Sequence, residues 1–276
     1  MKFLGVLTRC KDEFFVKEFC DYYISQGADK IYIIDDDSLD KSIYDGLNAE
    51  KVTVFYEKNV FNPNNGTGQM KIANQYYNNI RNEFTWLIFI DVDEFITTKK
   101  NINRTLKQEL LTTFKKVDCI KVPWVMMSSN NREKNPKSIL IENTYRWNHD
   151  KTHPHKMRKF RCRYNSIECK CIFKTQKFKT ITTHNPSDVI GNAIIVNSIN
   201  ITTVGLASHY RNLREKDISN GYLLCYHYRI ISRENNLRKL EKKSIYKKFT
   251  LEDLIKSDHA EINDDTLKNK VMAGSN

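Results

Sequence analysis

The chain has 276 residues and a mass of 32.6 kDa, with 40% hydrophobic and 11% aromatic residues. That is enough to bury the core of one large domain, and too apolar for a disordered chain. Lys and Arg outnumber Asp and Glu by 45 to 33, a formal net charge of +12, which suits nucleic acid, an acidic membrane surface, a phosphorylated small substrate, or simply a solvated lysine-rich exterior.

The opening "KFLGVLT" reads as a first buried strand, cut off by Arg9, Lys11 and Asp12 too soon for a signal peptide. "DEFFVKEFCDYYISQG" follows, with Phe15, Phe19 and Tyr22 at helical spacing and Gly27 as a C-cap. "KIYIIDDD" is a second strand ending in Asp35, Asp36 and Asp37, and a short helix starts near Ser38 to Asp40. "KVTVFYE" is a third strand. After the turn-forming "NPNNGTG" comes a long helix, "GQMKIANQYYNNIRNE", and then "TWLIFIDVDEF" as a fourth strand. The alternation β-α-β-α-β-α-β predicts an α/β fold: a mostly parallel sheet with helices on both faces. Continuous rather than alternating apolar strands agree with burial on both sides.

Beyond residue 100 the pattern loosens. A helix near Arg104 to Phe114 leads to a strand, "CIKVPWVMM", and residues 128–165 read as a polar, basic loop region that covers a ligand. "SIECKCIFKT" and "FKTITTH" are further strands, and "NGYLLCYHYRIISRENNLRKLEKKSIYKK" runs into a charged helical tail. No run of about 18 apolar residues is present to span a membrane. Seven cysteines, an odd number without a secretion signal, predict reduced thiols and a cytoplasmic chain.

In an open α/β sheet, ligands bind outside the carboxyl ends of the strands. Three such ends here are polar: "LTRCKDE", "IIDDDSLDKS" and "IDVDEF". In extended backbone Asp91 and Asp93 project to one side. Two neighbouring carboxylates repel unless a cation lies between them, and Mg²⁺ or Mn²⁺ with oxygen ligands resolves that conflict. The competing reading is an acidic strand end that caps the next helix.

Taken together, "TRCKDEFFVKEFCDYYISQGADKIYIIDDDSLDKS", "WLIFIDVDEF", "CIFKT", His184 and "YHYRIIS" resemble the GT-A-fold glycosyltransferases of the family 2-like and family 92-like, DxDEF type. The resemblance implies a GT-A domain over 1–231, with a nucleotide-binding half at 1–100 and an acceptor-binding half at 101–231, and a helical extension over 232–276. It implies transfer of a sugar from a nucleotide-sugar donor, expected to be a UDP-sugar, to a glycan or glycoprotein. Thr8, Arg9 and Glu13 would line the base pocket, Asp35 or Asp36 would bond the uracil or ribose, and Gln69 would lie near the nucleotide. Asp91 would face the ribose or the metal, Asp93 would bind Mn²⁺ or Mg²⁺ directly, and His227 would complete the metal shell with Arg229 beside the diphosphate. Where the family carries Asn, this chain has Asp12.

His209, in "SHYRN", and His184 are the other histidines considered for the metal. For the base that an inverting enzyme needs on its acceptor hydroxyl, Asp188 is the first choice, with Glu168 and Asp217 as alternatives. A zinc site through His153, His155, Cys162, Cys169 and Cys171 lacks the C-x₂₋₄-C spacing. The alternatives to glycosyl transfer are a nucleotidyltransferase of similar fold, which "LTRCKDE" disfavours for want of a glycine-rich loop, and a basic module for nucleic acid or a membrane surface. Neither nucleic acid nor more than peripheral membrane contact is expected.

Overall fold

The computed structural model describes residues 1–58, 68–151, 162–163, 166–202, 206, 209–210, 213–242 and 249–274. His153, His155, the side chains of Cys162 and His209, and much of the expected ligand-covering loop lie outside the described residues.

The first half follows the expected alternation. β1 (Lys2–Cys10), α1 (Val16–Ser25), β2 (Lys30–Asp36), a 3-10 turn (Lys41–Tyr44), β3 (Val52–Glu57), α2 (Gly68–Ile80) and β4 (Phe84–Asp91) come in order. Strands pair in the order β3-β2-β1-β4, all parallel. Successive side chains feed opposite faces. Leu4, Val6, Trp86 and Ile88 join α1's Phe19 and Tyr23 in one core, whereas Leu7, Leu87 and Phe89 join α2's Ala73 and Tyr77 in the other. Helices therefore cover both faces, and the strand order reverses between β1 and β4.

The expected single strand over 85–95 is broken. β4 ends at Asp91, Val92 and Asp93 form a turn, and β5 (Glu94–Thr98) starts anew. After it come α3 (Leu106–Leu111), β6 (Cys119–Met126), α4 (Ile139–Glu142), β7 (Tyr145–Arg146), β8 (Cys162–Arg163) and β9 (Ser166–Lys174). β10 (Phe178–Ile181) and β11 (Pro186–Val189) form a hairpin, followed by β12 (Ile195–Asn197), β13 (His209–Tyr210), α5 (Glu215–Asn220) and β14 (Leu223–His227). The sheet continues β4-β9-β6-β14-β5. Two residues join β4 to β5, yet the pairing order separates them by three strands, so the sheet must curl to return β5 to the end of β4. Asp91 consequently ends β4 and Asp93 lies in the turn after it, so the two do not share one side of a strand.

α6 (Arg233–Lys242), α7 (Leu251–Lys256), β15 (Ile262–Asn263) and α8 (Thr266–Ala273) complete the chain. This charged tail packs against the rest. Leu254 and Leu267 join the α1-side core, β15 pairs with β7, and Arg146 bonds both Asp264 and Glu215 at 2.9 Å. Residues 128–151 are also largely built in, with Ser128, Asn143, Trp147 and His149 buried. The six described cysteines are free thiols, all buried.

Gly27 closes α1 as expected. Its φ is +90°, its N–H donates to the Ile24 carbonyl, and a Cβ there would lie 2.6 Å from Lys107 Cβ. Gly27→Ala combines left-handed strain with a backbone-proximal clash, so an expected loss of about 1–3 kcal/mol should appear as a lower denaturant midpoint at unchanged slope.

Candidate active site

The reversal of strand order between β1 and β4 leaves a crevice at their carboxyl ends, the usual place for a ligand in such a sheet. Arg9 and Asp91 stand opposite each other in register there. One guanidinium nitrogen lies 3.0 Å from Asp91 Oδ1 and the other donates to Gln69 Oε1 at 2.6 Å. Gln69, at the start of α2, donates in turn to Asp36 Oδ2 at 3.3 Å. The ends of β1, β2 and β4 are thus joined by one polar chain. Asp36 Oδ1 is buried without a hydrogen-bond partner, the condition of an acceptor awaiting a ligand donor.

The turn after β4 carries the second group. Lys170 of β9, 1% exposed, places its ammonium 2.9 Å from Asp91 Oδ2 and 3.1 Å from Glu94 Oε2, and donates to the Thr183 carbonyl. Both Asp91 oxygens are therefore engaged, one by Arg9 and one by Lys170. Burial opposes the Asp91 charge, but Lys170 and Arg9 hold its carboxyl well below the usual range. Glu94 is fully buried, and burial raises its carboxyl despite the shared ammonium. It also accepts from the Asp91 N–H at 3.0 Å, so it shapes the turn.

Asp93 sits at the tip, with Oδ1 3.6 Å from His227 Nε2 and Oδ2 3.4 Å from the Lys239 ammonium on α6. β14 pairs antiparallel with β5, placing His227 opposite Glu94, and the Tyr228 N–H fixes the Asp93 carbonyl at 2.8 Å. Burial lowers the His227 pKa against the pull of Asp93. Its Nδ1 is buried without a hydrogen-bond partner.

The donor set accommodates one divalent cation with few protein ligands. Asp93 and His227 offer an oxygen and a nitrogen at 3.6 Å, a separation open to two ligands that each stand about 2.1 Å from a common ion. Asp91 is already occupied by cationic side chains. Among the described residues, no group of three or more His, Cys, Asp or Glu side chains is arranged to hold a metal ion. A cation here would therefore draw its remaining ligands from substrate and water, as Mg²⁺ commonly does.

Residues 13–269 match glycosyltransferase family 92. The chain belongs to that family. No curated protein matches it. Among solved structures it is similar to HddC from Yersinia pseudotuberculosis, at 10% identity over 80% of this chain and 98% of that one, with a TM-score of 0.36. It is also similar to 4-diphosphocytidyl-2C-methyl-D-erythritol synthase from Anaerococcus prevotii DSM 20548, at 9% identity over 79% of this chain and 97% of that one, with a TM-score of 0.33. The α/β architecture with its parallel first half is the one the sequence predicts, and the protein is a glycosyltransferase.

The remaining predicted residues of this glycosyltransferase lie at the ends of β1 and β2, after β14, and among the carboxylates considered as a base. Thr8 and Glu13 are buried at the β1 end, with Glu13 held by Arg238 of α6 at 2.6 Å. Asp12 occupies a left-handed conformation, φ +53°, that Asp and Asn tolerate. Its carboxylate accepts from the Leu39 N–H at 2.7 Å and so ties β1 to the loop after β2. Asp35, by contrast, is satisfied internally by Lys41, by the Tyr44 hydroxyl at 2.5 Å and by the Ser38 N–H. Burial works against its charge, and these partners hold its pKa below the usual value.

Arg229 follows β14 and gives its carbonyl to the Lys239 ammonium. The three carboxylates considered as a base separate cleanly. Asp188 is exposed on the β10–β11 hairpin, bonded to Thr180. Asp217 caps α5 through the Arg214 N–H. Glu168 lies on β9, 3.6 Å from His184 Nε2. Sequence reasoning missed Lys170, Lys239, Arg238 and Trp124. A lone lysine amid the apolar "ECKCIF" was the one available signal, since a charge inside a buried strand needs a partner.

Proposed function

We propose that this glycosyltransferase moves a sugar from a UDP-sugar to a hydroxyl of a glycan or glycoprotein, assisted by Mn²⁺ or Mg²⁺. The observation that carries the reading is the Asp93–His227 pair beside the Arg9–Asp91–Lys170 cluster at the switch in strand order. Asp93 and His227 would hold the cation, which supplies Lewis-acid neutralisation of the diphosphate. The protein's own residues do the rest. Asp36 Oδ1 offers an acceptor to the uracil N–H or a ribose hydroxyl, and Gln69 fixes that carboxylate. Asp91, held by two cations, faces the ribose. The ammonium of Lys239 stands beside Asp93 and the charge of Arg229 acts on His227, and both would oppose the negative charge that accumulates on the leaving group.

The +12 charge fits this chemistry by drawing an anionic donor towards the crevice. The direct test is thermal unfolding with UDP, with and without Mn²⁺. At a hundredfold excess over Kd, binding stabilises by about 2.7 kcal/mol, worth several degrees in a chain of this size. The expected shift needs both ligands and disappears with EDTA. A shift of equal size without metal would remove the cation from the reading, and no shift with any nucleotide would remove the donor.

A further inference from the structure

We propose that Glu168 is the general base that takes the proton of the attacking acceptor hydroxyl, and that His184 positions it. The assignment rests on the UDP-sugar reading above and adds the acceptor side of the same site.

Strand register places Glu168. β9 runs antiparallel to β6, with Val122 opposite Lys170 and Pro123 opposite Cys169. Side chains alternate along a strand, and directly opposed residues share a face. Glu168 and Lys170, two apart on β9, therefore point to one face; the ladder with β6 ends at Pro123 opposite Cys169, and His184, 3.6 Å from Glu168 and packed on the Trp124 ring, links Glu168 to Trp124. The Trp124 ring lies 4.4 Å from the His227 ring and 5.4 Å from the His184 ring. One row across the curled sheet thus runs from Lys170, which holds Asp91, through Glu168 and Trp124 to His227, which faces Asp93. Glu168 is the only one of the three carboxylates considered that lies in this row. Asp188 lies on the β10–β11 hairpin and Asp217 at the start of α5, outside this row.

Trp124 is 3% exposed and its indole N–H is buried without a hydrogen-bond partner. A buried donor of that kind beside a carboxylate marks a place for a ligand oxygen. Acceptor hydroxyls supply one.

The second residue of the dyad is oriented for its task. His184 Nδ1 lies 3.2 Å from the Cys169 carbonyl. A carbonyl only accepts, so Nδ1 carries the proton. Burial, with Lys170 near, lowers the His184 pKa to about 4, which leaves the neutral ring with its Nε2 lone pair towards Glu168. A carboxylate that has just gained a proton can donate it to that lone pair, so His184 favours the protonated product state of Glu168 and fixes its rotamer.

The step balances as a single displacement. The acceptor O–H bond breaks and its proton passes to a Glu168 carboxylate oxygen. The acceptor oxygen forms a bond to the anomeric carbon. The bond from that carbon to the diphosphate oxygen breaks, and its electron pair leaves on UDP. Attack opposite the leaving group inverts the anomeric configuration. Water can replace the acceptor, so donor hydrolysis reports on the same base.

The experiment uses the full chain with Mn²⁺ and a panel of UDP-glucose, UDP-galactose and UDP-N-acetylglucosamine, with UDP release measured in water and UDP affinity measured by calorimetry. Glu168→Gln is expected to lower the hydrolytic kcat by about 10²-fold or more while UDP affinity stays within about twofold. Glu168→Asp, which keeps the charge on a shorter arm, should lose less. His184→Gln should lower kcat with KM little changed. Proton NMR in the first minutes should show the sugar released with inverted configuration, a readout that requires no variant. Retention of configuration, a Glu168→Gln enzyme keeping more than a tenth of its activity, or the loss falling on Asp188→Asn instead would overturn the assignment and leave the donor reading intact. A wild-type chain that binds no UDP would overturn the donor reading itself.

Discussion

Asp93→Ala is expected to lower turnover of the UDP-sugar donor by about 10²–10³-fold, and to erase the metal-dependent part of the UDP thermal shift, while the ligand-free protein loses less stability than with Lys170→Met. The separation of function from stability follows from where the residue sits. Asp93 is at the tip of the turn between β4 and β5, and its backbone carbonyl, not its carboxylate, is what Tyr228 holds. Removing the carboxylate takes a charge partner from the 1%-exposed Lys239 ammonium, which keeps its bond to the Arg229 carbonyl at 2.7 Å, so a part of the stability goes with it. His227 remains packed on Trp124. What disappears is the oxygen that faces His227 Nε2. Asp93→Asn keeps the shape and loses the charge, so it should behave like the alanine variant in metal-dependent binding. Turnover within tenfold of wild type in both variants would show that the site works without a cation held at Asp93.

Asp91→Ala should behave differently, although the two aspartates look equivalent in "DVDEF". Asp91 neutralises Arg9 and Lys170 at 3.0 and 2.9 Å, so its removal disturbs two cations and the start of α2 through Gln69. Its loss mixes folding with function, which makes Asp93 the cleaner probe.

The contrast shows what the sequence could and could not convey. The parallel half was legible because each β-α step carries its own local signals: unbroken apolar strands, helical spacing of Phe15, Phe19 and Tyr22, and Gly27 at φ +90°. The crevice was legible for the same reason, as strand ends follow from strand limits. The turn at Val92–Asp93 was not, since "IDVDEF" continues the strand pattern and only the curl of the sheet demands a break. Side-chain pairing across the sheet was equally hidden. Lys170 lies 79 residues from Asp91 and Lys239 lies 146 from Asp93, and no local pattern announces such contacts. The choice between Asp35 and Asp36 likewise depended on Lys41 and Tyr44 folding back to satisfy one of them.

Lys170→Met should be the most destabilising single change at the site. The ammonium is 1% exposed and serves Asp91, Glu94 and the Thr183 carbonyl together. Methionine fills similar volume but leaves the fully buried Glu94 with the Asp91 N–H on Oε2 and His227 Nδ1 4.0 Å from Oε1, and no lysine. Breaking a buried ion pair by removing one member costs about 3–5 kcal/mol where the remaining group stays charged, which for Glu94, whose carboxyl burial raises to about 8, holds in alkaline solution. Burial already raises the Glu94 carboxyl with the lysine present, so this carboxylate bears most of the loss, whereas Asp91 keeps Arg9. Glu94→Gln retains the acceptor for the Asp91 N–H and removes the charge. The double variant Lys170→Met with Glu94→Gln should therefore be more stable than Lys170→Met alone, by about 1–3 kcal/mol in denaturant unfolding. A cycle in which the two changes simply add would mean that Lys170 acts by packing and by its bond to Thr183. A positive coupling instead identifies it as the counterion that lets Asp91 and Glu94 crowd one turn.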